Sequence, residues 1–146
     1  YRPAMSTERL RVGTPAIVQL SVLDAALDVW NHVDMAELRA ASVALSECFI
    51  REVTTRCPML KLASPNNPAQ RGSQVSFAFE HGYAAMQALI DRGVIGDFRA
   101  PAIMRFGFAP LYLDEEDVMR AAEIIEEVMS GELWRDPKYQ AVSRVT

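Results

Sequence analysis

Two arginines in the run IGDFRAPAIMRFGFAPLY (Ile95–Tyr112) have the setting that most demands chemistry. Ile103, Arg105 and Gly107 alternate with Ala102, Met104 and Phe106, which is the two-residue period of a strand. Arg105 therefore stands among apolar neighbours rather than on a plainly charged face. A guanidinium in such a place needs an anion, because an unpaired charge taken out of water is costly. Its fork of donors matches a carboxylate through two parallel hydrogen bonds. That carboxylate belongs either to an internal Asp or Glu or to a ligand, and spacing alone leaves both open. Arg99, beside the turn at Pro101, reads as solvated.

The other reactive side chains have blander readings. His32 follows Trp30-Asn31 at a helix end, where an imidazole commonly complements the helix dipole. His81 precedes Gly82 at a strand–helix junction, but no Cys, Asp or Ser stands near it in a nucleophile pattern. The acidic run Asp114–Asp117 lacks the spacing of a calcium loop and is better read as the capped start of a helix. Cys48 falls on the apolar side of a helix as a small core residue, and with Cys57 it makes too few thiols for a disulfide framework or a zinc cluster. No glycine-rich phosphate loop is present. Thr14, before Pro15, reads as an N-cap whose hydroxyl can also hold a phosphate if that helix end faces a site.

At 146 residues, half of them hydrophobic and 23% charged, the chain has the composition of one globular domain with a real core. A net charge of −4 argues against nucleic acid or an anionic membrane surface as the main partner. No apolar run is long enough to span a bilayer and Tyr1–Leu10 carries no signal-peptide pattern, so a cytoplasmic location is expected. The polar, aperiodic start RPAMSTERLR, after a first residue that is not Met, reads as the interior of a longer protein.

The elements that must position these residues follow from periodicity. Ala16–Trp30 predicts a helix apolar on most sides, of the kind covered on more than one face by another domain or subunit. Asp34, with Glu37 three residues on, opens an amphipathic helix to about Arg56, with Leu38, Ala41, Leu45, Cys48, Phe49 and Val53 as its stripe. Glu47–Arg51 and Glu52–Arg56 are expected as ion pairs on its wet side. Strands are predicted over Met59–Ala63, Gln74–Phe79, Val94–Phe98 and Ala102–Phe106, the last two joined by a turn at Arg99–Pro101. A helix spans Tyr83–Arg92, with Gly93 as its C′ residue, and a last helix begins at Asp114 and ends at Ser130-Gly131. Gly131–Thr146 reads as a polar tail. Connections this short favour an α+β fold, a mostly antiparallel sheet with helices packed on one side.

Together with QVSFAFEHGYAAMQALIDRGV before it and SGELWRDPKY after it, the 95–112 motif resembles the C-terminal part of bacterial kynureninases. RVGTPAIVQLSVLDAALDVW resembles the segment with which that family leaves its large domain, so the likeness covers nearly the whole chain. The resemblance implies the small C-terminal domain of a fold-type I, aspartate-aminotransferase-like enzyme. Residues 1–14 would then leave a large domain absent from this chain, 15–131 form the helix and small domain, and 132–146 the tail. It also implies hydrolysis of L-kynurenine to anthranilate and L-alanine in tryptophan catabolism and NAD biosynthesis, by a homodimer using pyridoxal 5'-phosphate (PLP). Arg105 takes the position of the family's arginine for the substrate α-carboxylate. Thr14 takes a position among the PLP-phosphate contacts, supplied across the dimer interface. No role carries over to His81 or Arg99. The chain departs from the family's requirements in one respect: its two lysines, Lys61 and Lys138, lack the surroundings of the lysine that binds PLP covalently. The chain alone is therefore expected to be inactive. A cysteine desulfurase or aminotransferase of the same PLP class is the nearest alternative, and a free-standing α+β carboxylate-binding module the more distant one.

Overall fold

The computed structural model describes residues 2–10 and 13–141. Tyr1, Arg11 and Val12 of the expected leading segment, and 142–146 of the expected tail, lie outside the described residues. Two compact units divide the chain between Met35 and Ala36, so the first helix groups with the leading segment rather than with the sheet.

In the first unit a 3-10 turn, Ser6–Leu10, precedes helix α1, Ile17–Leu27, which tightens into a second 3-10 turn at Asp28–His32. The helix begins later than Thr14-Pro15 predicts. Its N-cap is Ala16, and no side chain caps it, so Thr14 is not the capping residue expected from sequence. None of its side chains is buried, and Val18 is 78% exposed.

In the second unit helix α2, Met35–Arg56, buries Ser42, Leu45, Ser46, Cys48, Phe49 and Val53, a stripe at intervals of three and four residues. Cys57 and Pro58 end it, and the short strand β1, Lys61–Leu62, follows. Strand β2, Gln74–Ala78, leads to helix α3, Gly82–Ile90. Strands β3, Asp97–Arg99, and β4, Ile103–Gly107, form a hairpin whose turn holds a cis Ala100–Pro101 peptide. Helix α4, Glu115–Ser130, opens on the expected Asp114 cap. Asp117 N–H donates to Asp114 Oδ1 (3.0 Å) and Asp114 N–H to Asp117 Oδ2 (3.1 Å), a reciprocal capping box.

The four strands form an antiparallel sheet in the order β1-β2-β4-β3. Val75 opposite Phe106 and Phe77 opposite Met104 point into the core, where Phe49 of α2 meets them and Phe108. Its ring lies 5.1 Å from that of Phe106 and 5.2 Å from that of Phe108, close enough for aromatic packing beyond simple burial. Met86 and Leu89 of α3 and Val118, Ala122, Ile125 and Val128 of α4 complete this core. Helices α2, α3 and α4 thus serve one face of the sheet, which is the α+β arrangement the pattern predicts.

The segment after Gly131 is not the polar tail expected. A 3-10 turn, Leu133–Arg135, and a short helix α5, Pro137–Gln140, bury Trp134 and Tyr139. Tyr139 O–H donates to Asp91 Oδ2 (2.9 Å), and Lys138 bridges to the same oxygen (3.1 Å). Two large aromatics spaced five apart in polar sequence leave no helical or strand period, which hid their burial.

Candidate functional site

Alternation along β2 and β4 sends every second side chain away from the helices. Lys61, Ala78, Ile103 and Arg99 share that open face with Ser76, Arg105 and Asp97, because residues opposite each other in an antiparallel ladder lie on one side. Arg105 occupies its middle, between Ser76 on β2 and Asp97 on β3.

Asp97 is the internal acid that the sequence reading did not find. Arg105 Nε donates to Asp97 Oδ1 (3.2 Å) and Nη2 to Oδ2 (2.5 Å), the two-pronged geometry of a strong pair. Arg99 Nη2 reaches the same Oδ2 at 3.3 Å. The hydrogen bonds from Arg105, and then its charge and that of Arg99, hold the Asp97 carboxyl below its ordinary value. The same bonds raise the Arg105 guanidinium above its own. The Arg105 side chain is 29% exposed, Asp97 46% and Arg99 64%, so Arg99 is as solvated as its turn position predicts.

The miss has a definite cause. A turn centred on residue 100, as predicted, sets Ile95 opposite Arg105. The observed pairs, 99 with 103 and 97 with 105, centre the hairpin on Pro101 and bring Asp97 there instead. Gly96 makes this seating possible. A Cβ on it would stand 2.8 Å from the Arg105 carbonyl oxygen and 2.6 Å from Met86 Cε, so only glycine lets the chain approach β4 this closely.

Thr14 belongs to the other unit. Gly13, at φ +78°, turns the chain through the left-handed region just before it. The first N–H of α1 with a backbone partner inside the helix is that of Leu20, which donates to Ala16 C=O (3.0 Å), and no side chain caps the N–H groups before it. A hydroxyl and uncapped N–H groups at the positive end of a helix are a donor set that fits a phosphate.

The remaining candidates take structural places. His81 stacks on the Trp134 ring, centroids 4.5 Å apart, and meets Phe79 edge-on at 5.8 Å. Cys48 and Cys57 are both buried free thiols. Lys61 lies exposed on an edge strand, and Lys138 is the partner of Asp91. Among the described residues no group of His, Cys, Asp and Glu is placed to hold a metal ion, and no helix is long and apolar enough to cross a membrane.

A cleft of about 320 Å³ opens between Val94, Phe108 and Ile124, beside the sheet's far edge, and does not include Arg105. Its walls are mostly apolar with Arg92, Asp117 and Arg120 among them, and Arg92 already donates to Ala88 C=O (3.0 Å) and the Tyr139 hydroxyl (3.3 Å). The open sheet face is the better candidate, because two guanidiniums converge there on a single carboxylate. A flat face of this kind encloses a small ligand only when a second surface covers it.

Comparison with known proteins gives the family of the chain. Residues 38–125 match the family model described as the kynureninase C-terminal domain. Over the whole chain, the sequence is 45% identical to a kynureninase of Pseudomonas fluorescens and 44% identical to kynureninases of Burkholderia mallei and Burkholderia pseudomallei. The chain spans about a third, 36%, of the length of these curated relatives. The matched region contains most of α2, the whole sheet with Arg105 and Asp97, α3 and most of α4, and on that match the chain belongs to the kynureninase C-terminal domain family.

Proposed function

We propose that this chain is the small-domain portion of a kynureninase, which as a whole protein hydrolyses L-kynurenine to anthranilate and L-alanine. The observation that carries the reading is Arg105 on the open sheet face, where two guanidiniums face one carboxylate. The surplus positive charge suits a substrate α-carboxylate, and a half-exposed strand position lets a second domain close over it. In this reading Arg105 binds and orients the substrate. The Thr14 hydroxyl and the first N–H groups of α1 hold the PLP phosphate of a neighbouring subunit.

When bound, PLP supplies the electron sink for cleavage beside the substrate's α-carbon. The lysine that carries it lies outside this chain, since Lys61 is on an exposed edge and Lys138 is engaged with Asp91. The chain by itself is accordingly inactive, and its function is to complete a site built largely by a preceding large domain. The apolar, unburied surface of α1 supports such a partner, whether that domain or a second subunit of a homodimer. The test is anthranilate fluorescence from L-kynurenine with the whole protein. Steady release supports the proposal, whereas no release together with sulfur transfer from L-cysteine identifies a desulfurase instead.

A further inference from the structure

Asp97 meets the Arg105 guanidinium on one edge only. Nε and Nη2 are engaged, and Nη1 makes no hydrogen bond among the described residues. We propose that Asp97 is a positioning residue for Arg105, holding the guanidinium side-on so that its Nη1–Nη2 edge stays aimed off the sheet to receive a ligand carboxylate.

Three features support this. The pairing is built into the backbone, because Asp97 and Arg105 are direct cross-strand partners and the tight approach at Gly96 fixes the strand that carries Asp97. Asp97 is itself restrained by a second guanidinium, Arg99 Nη2 reaching the same Oδ2 at 3.3 Å. The charges also leave room for a ligand: one carboxylate against two guanidiniums keeps a net positive charge at the site. A long, flexible arginine loses rotamer freedom when it grips a ligand, and a partner that has already ordered it reduces that cost. The contrary geometry, in which Asp97 competes with the ligand and must be displaced, predicts that removing its charge tightens binding.

The inference rests on Arg105 being the substrate-carboxylate residue, so the experiment includes a reference variant. In the whole enzyme with L-kynurenine, Asp97→Asn is expected to raise KM about tenfold while kcat changes by less than about threefold. Asp97→Glu, which keeps the charge, is expected to recover most of that loss. An unchanged or lowered KM in Asp97→Asn, a kcat that falls in step with a merely structural defect, or an equal loss in Asp97→Glu overturns the positioning role. If Arg105→Ala is as active as the wild type, the carboxylate reading of Arg105 fails and the inference fails with it. If Arg105→Ala is impaired while Asp97→Asn is not, the inference about Asp97 alone is overturned.

Discussion

At Arg105, ligand binding and internal pairing are compatible. An arginine has five donors, and the side-on pair with Asp97 uses two of them, so an internal acid leaves donors free for a further partner. The sequence poses the question as internal acid or ligand, whereas the hairpin register permits both. Cys57 is the opposite case, a group with reactive chemistry in a setting that suppresses it. Burial, and then the Glu126 charge, push its thiol up to about 11, so it stays protonated at neutral pH. Iodoacetamide at pH 8 should leave Cys57 unmodified in the folded protein and label it fully in denaturant. Mass spectrometry of the native sample checks this, and rapid native labelling at Cys57 contradicts it.

At the scale of elements, the helices were legible and the hairpin register was not. The stripes of α2 and α4 and the acidic cap at Asp114 follow from side-chain spacing within one segment. The partner of Arg105 depends on which residue centres a turn, and a one-residue error there moves the partner by two positions along β3. In the turn-rich loop from Ser64 to Gly72, Arg71 is buried. Its guanidinium donates to the Pro65 and Asn66 carbonyls (both 2.9 Å) and pairs with Glu47 of α2. Glu47 is thereby drawn away from the expected pairing with Arg51, whereas Glu52 and Arg56 do pair, at 3.5 Å. Arg39 adds bonds to the Pro68 (2.6 Å) and Arg71 (2.9 Å) carbonyls, so the loop is fastened to α2 just before β2 begins. Arg71→Met should destabilise the domain by about 1–3 kcal/mol, since it removes the hydrogen bonds to two carbonyls while the half-exposed Glu47 carboxylate returns to water. Urea unfolding of the whole protein measures this, and an unshifted midpoint contradicts it. For α1 the expectation concerns its N-terminus. Because no side chain caps it, Thr14→Ala should leave helix stability unchanged and weaken PLP binding about three- to tenfold, one lost hydrogen bond. Equal PLP dissociation constants in variant and wild type exclude the phosphate role.

At the scale of the molecule, a sheet covered by helices on one face and open on the other is stable in water and leaves that face free to meet a counterpart. The open face carries Lys61, Arg99, Arg105 and Asp97, and in the other unit α1 presents apolar side chains on every side. Both features fit a domain that works against other protein surfaces, in keeping with relatives whose length the chain spans by about a third. On the proposed function, catalysis is divided, with substrate grip assigned to this chain and bond cleavage elsewhere. The central claim is the grip. In the whole enzyme, Arg105→Ala should lower kcat/KM for L-kynurenine by about 2–4 kcal/mol, the scale of removing one partner of a charged pair. Steady-state kinetics indistinguishable from the wild type would show that the substrate carboxylate is held by something other than Arg105.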